Sequence, residues 1–102
     1  MIPGLLAAAI LFAAPASAAD STQRGHKLAQ KLCARCHAIG KTGASPNTKA
    51  PPFRTFEKMW PLNSLEEALG EGIVTGHNTM PEFELEPDQI GDLLTYIASL
   101  NK

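Results

Sequence analysis

Leu32-Cys33-Ala34-Arg35-Cys36-His37 holds both cysteines of the 102-residue chain and one of its three histidines. Residues three apart lie on one face of a helix, so Cys33 and Cys36 can reach the same edge of a flat ligand. His37 follows the second thiol directly and can swing its imidazole to a metal at that ligand's centre. Cys-x-x-Cys-His is the pattern to which a c-type haem is attached, the thiols adding to two vinyl groups and the histidine ligating iron. Two other chemistries use parts of the same stretch. A thioredoxin-like redox pair sits at a helix start beside a βαβ unit; here the pair ends a helical segment and no strand pattern precedes it. A zinc site needs four ligands, and Cys33, Cys36, His37 and His77 could supply them. Adjacent Cys36-His37 is not the usual spacing for paired zinc ligands.

Outward from the motif, Asp20 and Gln23 have the spacing of a helix cap with its reciprocal partner. The pattern predicts a first helix over Ser21–Arg35 that buries Leu28, Ala29 and Leu32. Gly25 lies inside it, eight residues before Cys33. Glycine within a helix costs about 1 kcal/mol relative to alanine, and it either is tolerated on the surface or marks close backbone approach. Ala38 to Pro52 is rich in Gly, Pro, Ser, Thr, Asn and Lys and reads as a loop. Phe53, Phe56 and Trp60 then recur at helical spacing, predicting a short helix that ends before Pro61. Ser64 and Glu67 make a capping box for a helix through Glu71, burying Leu65, Ala68 and Leu69, with Gly72 as its stop. Ile73–Leu85 is irregular. The last helix begins at Pro87, a favourable first-turn position, and carries one apolar stripe of Ile90, Leu93, Leu94, Ile97 and Leu100.

Together these features resemble class I cytochromes c. The resemblance covers the chain from residue 19 to residue 102 and implies an all-α cytochrome c fold. Three to five short helices would wrap around one covalently attached haem c, with the first and last helices crossing. It implies thioether bonds through Cys33 and Cys36 and iron ligation by His37. It places Gly25 at the helix crossing, packed against Leu93 and Tyr96. Ala50-Pro51-Pro52-Phe53 is similar to the family's Gly-Pro-x-aromatic segment, with Ala50 in place of the glycine. The implied role of Pro51, or of Pro52 failing that, is to accept a hydrogen bond from the ligating histidine. A stiff loop is the plain alternative. Trp60 stands where relatives hydrogen-bond a haem propionate through the indole, and a core tryptophan would look the same.

The sixth ligand decides what such a centre does, because a methionine thioether raises the reduction potential whereas an open site admits ligands. Met59 sits in a helical run, where a core role is natural. Met80 lies in the segment Gly76-His77-Asn78-Thr79-Met80-Pro81, 43 residues after His37, and its Met-Pro pair matches the family. His37 and Met80 are therefore the expected metal ligands. His77 is the competitor, with a solvated loop histidine as the bland alternative. His26, beside Lys27, is expected on the solvated face of the first helix and has no assigned function.

Met1–Ala19 carries no charged side chain, and Gly4–Ala14 is an apolar run of eleven followed by Pro15 and Ala16-Ser17-Ala18. Residues 1–18 read as a secretory signal peptide cleaved after Ala18, although no Lys or Arg precedes the apolar run. An uncleaved interfacial anchor is the alternative. The run is too short to span a bilayer. Cleavage leaves a domain, residues 19–102, small enough to need a staple. With both cysteines committed to the motif, the porphyrin is the expected centre of the core.

The net charge of −1 conceals an asymmetry: Asp20–Trp60 holds eight Lys/Arg against two acids, whereas Pro61–Lys102 holds one Lys against eight acids. Separation of this kind makes a dipole that steers encounters. Lys31, Arg35, Lys41 and Lys49 could ring the exposed haem edge and meet acidic redox partners. Nothing points to nucleic acid. The expected protein is an exported, periplasmic electron carrier rather than an enzyme, a monomer or a subunit of a complex. A haem subunit of a larger oxidoreductase is the nearest alternative; a haem sensor or peroxidase-like enzyme with an open sixth site is a further one.

Overall fold

A computed structural model describes Gly4, residues 18–71, Met80 and residues 83–101. The expected leader lies outside the described residues except for Gly4 and Ala18, as do Gly72, His77 and Pro81. The described chain is helical and contains no strand: α1 (Ala18–Leu32), a single 3₁₀ turn (Phe53–Thr55) running into α2 (Phe56–Met59), α3 (Leu62–Glu71) and α4 (Pro87–Ser99). Among the described residues no helix is long and apolar enough to cross a membrane.

α1 begins earlier than its capping pattern predicts. Ala18 and Ala19 are already helical, so Asp20 is not the cap but a first-turn acid, with Lys31 in the last turn. Both charges oppose the helix macrodipole favourably. α1 also ends earlier, at Leu32 rather than Arg35. There the N–H groups of Cys33 and Ala34 both turn to the carbonyl of Ala29, at 2.8 and 2.9 Å. The regular ladder is lost just as the motif begins. α3 likewise starts at Leu62, not after Ser64. Its first turn is closed by the Ser64 N–H donating to the Pro61 carbonyl at 3.0 Å, so Ser64 is inside the helix. α4 begins at Pro87 as expected. The Gln89 side chain accepts the Glu86 N–H at 3.0 Å, the reciprocal half of a capping box that the sequence pattern did not flag.

The core is one cluster: Ala29, Phe53, Leu69, Ile90, Leu93, Tyr96 and Ile97, with Leu28, Cys33, Ile39, Phe56, Leu94 and Leu100 packed around it. The α4 stripe therefore faces inward as its periodicity predicts. Each large apolar side chain taken out of water contributes roughly 1.5–3 kcal/mol, so α4 supplies much of the fold's driving force. α1 and α4 form the most extensive helix contact. They can come this close because position 25 is glycine. A Cβ there would lie 2.0 Å from the Asp92 carbonyl oxygen and 2.8 Å from the Tyr96 Cβ. The crossing is further fastened by polar groups on its outer side. Arg24 forks onto Asp92 (Nε to Oδ2 2.9 Å, Nη2 to Oδ1 3.1 Å), and the Ser21 hydroxyl donates to Oδ1 at 2.6 Å.

One expectation about a side chain fails. Met59 is 52% exposed rather than in the core, with the Thr55 hydroxyl 3.7 Å from its sulfur. α2 is only one turn long, and Trp60 leaves it in an extended conformation (φ −143°, ψ 144°). The helical stretch ends before Pro61 as its spacing predicts, and burial falls along it: Phe53 is buried, Phe56 half-buried and Trp60 39% exposed.

Candidate functional site

The motif follows α1 as a tight turn. The Cys33 carbonyl accepts both the Cys36 N–H at 3.1 Å and the His37 N–H at 2.9 Å. This draws the two cysteines and the histidine onto one loop of backbone. Both thiols are half-buried and uncrosslinked. Burial, with a smaller contribution from Cys36, pushes the Cys33 thiol up to about 11, so it is an uncharged S–H at neutral pH.

His37 is held from two sides. Its Nδ1 lies 2.7 Å from the Pro51 carbonyl oxygen. A carbonyl can only accept, so Nδ1 carries a proton, and in the neutral ring the lone pair is then on Nε2. An acceptor behind an imidazole fixes the tautomer and makes the ring a stronger ligand. The rings of Phe53 and Phe56 pack against the imidazole with centroids at 5.3 and 5.7 Å. Proline shapes this segment: the extended backbone at Pro52 (φ −60°, ψ 141°) leads into the 3₁₀ turn, and the Thr55 hydroxyl donates to the Pro52 carbonyl at 2.6 Å. Pro52 therefore already has a partner, and Pro51 is the residue bonded to His37.

The intervening loop folds back on the motif through its own polar groups. The Asn47 N–H donates to the Cys36 carbonyl at 3.1 Å and the Phe53 N–H to the Ala38 carbonyl at 2.9 Å. The Ser45 hydroxyl accepts the Ala38 N–H at 2.9 Å. Gly43 turns the loop at φ 95°, a conformation that side chains disfavour. From the other end of the chain, the Tyr96 hydroxyl donates to the Ile39 carbonyl at 2.5 Å. Burial pushes the Tyr96 phenol up, which keeps it a donor. Sequence reasoning assigned Tyr96 to packing only and did not find this bond, because a contact 57 residues apart has no local signature.

The remaining expected residues take different places. Met80 is half-buried; His77 lies outside the described residues. Trp60 sits at the outer end of an aromatic series, its ring edge-on to Phe56 at 5.5 Å. Lys31, Arg35, Lys41 and Lys49 are all exposed. His26 is exposed, as expected of a solvated helix face, and stacks on Tyr96 with centroids at 4.8 Å. Among the described residues no group of three or more His, Cys, Asp or Glu side chains is arranged to hold a bare metal ion. The donor chemistry around the turn suits a porphyrin iron: two free thiols beside an imidazole bonded through Nδ1.

Comparison with known proteins gives the same answer across nearly the whole chain. Cytochrome c-552 of Bradyrhizobium diazoefficiens is 31% identical over 90 residues, covering 86% of this chain and 85% of that protein. Cytochrome c6 of a Nostoc species is 36% identical over 88 residues, covering 84% of this chain and 76% of that protein. No solved structure gives a significant match. The family model for cytochrome c matches residues 22–101, from the first turns of α1 to the end of α4, and the chain therefore belongs to the cytochrome c family.

Proposed function

We propose that this chain is an exported electron carrier holding one haem c, bonded through Cys33 and Cys36 and ligated by His37 and Met80. The observation that carries the reading is the Nδ1 bond from His37 to Pro51 next to two free thiols. Such an arrangement prepares Nε2 for a metal. Cys33 and Cys36 would hold the haem through thioethers, each S–H adding across one vinyl double bond, sulfur to one carbon and hydrogen to the other, so that attachment would need no oxidant. When bound, the haem supplies one-electron Fe(III)/Fe(II) chemistry. The chain's own residues do the rest. Pro51 holds the imidazole in one tautomer, Phe53 and Phe56 wall it from water, and a Met80 thioether would favour the ferrous state. No substrate is transformed.

Residues 1–18 act as the signal peptide in this reading and place the carrier in the periplasm. The exposed Lys31, Arg35, Lys41 and Lys49 lie on and around the motif loop and suit an acidic redox partner. The test is spectroscopic. Acid-acetone should leave the pigment on the polypeptide of the matured protein. The oxidised protein should show the weak far-red iron–sulfur band, lost in Met80→Ala and kept in Met59→Ala. Extractable pigment would overturn the attachment, and loss of the band in Met59→Ala alone would overturn the ligand.

A further inference from the structure

Met59 closes the one-turn helix α2 and is 52% exposed. Peroxides convert a thioether to its sulfoxide, and one at the surface meets them without the fold having to open. Met80, by contrast, is half-buried, and in the haem reading its sulfur is held by iron. The Met59 sulfur also has a neighbour one helical turn earlier, the Thr55 hydroxyl at 3.7 Å. That same hydroxyl donates to the Pro52 carbonyl at 2.6 Å. A hydroxyl has one proton to give. Here the carbonyl holds it, because thioether sulfur is the weaker acceptor and lies farther away.

What the hydroxyl fixes reaches the site. The Pro51 carbonyl accepts from His37 Nδ1 at 2.7 Å, and the next carbonyl along the chain, that of Pro52, accepts from Thr55. Only the φ and ψ of Pro52 separate the two. The pyrrolidine ring locks φ, here at −60°, so ψ, at 141°, is the one soft angle between them. Three bonds hold that angle. The Thr55 hydroxyl is one, the Thr55 N–H on the Pro52 carbonyl at 2.9 Å is the second, and the Phe53 N–H on the Ala38 carbonyl at 2.9 Å is the third.

We propose that Met59 is a peroxide-reactive modification site coupled to His37 through Thr55 and Pro52. Hydrogen peroxide delivers one oxygen atom to the thioether: the O–O bond breaks, an S–O bond forms, sulfur is oxidised by two electrons, and the peroxide leaves as water. The sulfoxide oxygen is a strong acceptor where sulfur was a weak one. It draws the Thr55 proton away from Pro52, one of the three restraints on ψ is lost, and the Pro51–His37 bond weakens. A histidine with a weaker acceptor behind it is a less basic ligand and stabilises ferric iron less, so the reduction potential rises. Both backbone bonds remain, so the change is a loosening, and a methionine sulfoxide reductase reverses it by restoring the thioether. The change in potential rests on the haem reading above; the modification and its effect on the Nδ1 proton do not.

The experiment treats the full-length matured protein with a small excess of hydrogen peroxide, removes the peroxide, and compares wild type with Met59→Leu and Thr55→Val. Peptide mass spectrometry should find one added oxygen on Met59 before any on Met80. In the oxidised wild type, NMR should show the His37 Nδ1 proton exchanging roughly fivefold faster, the factor that one hydrogen bond is worth. A redox titration should show the potential shifted upward. Both changes should be absent in Met59→Leu and should reverse with the reductase. Thr55→Val should exchange faster without peroxide, and oxidation of its Met59 should add nothing further. Met59 left unmodified would overturn the site. A sulfoxide at Met59 that leaves either the Nδ1 exchange or the potential where it was would overturn the coupling. Should Thr55→Val not fold, wild type and Met59→Leu decide between these outcomes. Pigment that is not covalently held would instead defeat the haem reading, and the mass and exchange results judge Met59 independently of it.

Discussion

The α1–α4 crossing and the segment from Cys33 to Trp60 are built on opposite plans. At the crossing the polypeptide completes itself: Gly25 lets the backbones meet, the α4 stripe is buried, and Ser21, Arg24 and Asp92 satisfy one another. The other segment is organised chiefly by bonds to backbone carbonyls. Its side chains keep binding capacity in hand: two free thiols, an imidazole bonded only through Nδ1 among the contacts described, and a buried guanidinium hydrogen-bond donor at Arg54. One region carries stability, and the other carries chemistry. Substitutions should therefore separate the two, those at the crossing changing stability and those in the segment changing the cofactor.

The largest expected effect is Cys33→Ala with Cys36→Ala, which should abolish covalent pigment altogether, measured by mass spectrometry and haem staining. Retention of any covalently attached haem would break the division of labour. Next is Gly25→Ala. Alanine gains about 1 kcal/mol in helix propensity, but a Cβ 2.0 Å from the Asp92 oxygen must force the helices apart. Overpacking of this kind costs about 1–3 kcal/mol, and a backbone clash belongs at the upper end. The net loss should be about 2 kcal/mol, or roughly 8–16 °C in Tm for a domain of this size, with the haem still attached. A Tm unchanged or raised would show that the crossing is looser than its geometry. Smaller again is Tyr96→Phe, which removes the donor to Ile39 and should cost about 1 kcal/mol, read by denaturant unfolding at constant m.

The smallest effect is a matter of pH. Hydrogen bonds from Arg24 and Ser21 hold the Asp92 carboxyl below the usual carboxylate range. A group depressed in the folded state contributes stability above its unfolded pKa, about 3.9, and loses it as pH falls through the folded value. Asp92→Asn should therefore lower stability slightly at pH 7 and flatten its decline below about pH 4. High salt should shrink the difference, since Arg24 is solvent-exposed.

How much of this was legible in the sequence differs by element. The start and inward face of α4 were readable because Pro87 and a 3.6-residue apolar stripe specify them. Gly25 was readable only through its spacing from Cys33 and the family likeness, since propensity alone calls it a defect. The start of α1 was misread because Asp20 fits a cap and a first-turn acid equally well. Two preceding alanines, both good helix formers, decided between them. Met59 was misread for another reason: it is in a helical run as expected, but on a single-turn helix only the tertiary fold decides which side is covered. Within the site, the His37–Pro51 bond followed from the resemblance. Arg54 carried no signal, because a lone basic residue in a basic stretch looks like solvated surface. The burial of its Nη1 shows only in the fold.

The bond from Tyr96 to Ile39 has a bearing on the order of events in biogenesis. Its two ends are 57 residues apart, so the clasp over the loop behind the thiols can close only once α4 has been made. Shutting the loop behind the motif therefore waits on a long-range contact, the slowest kind for a folding chain to make.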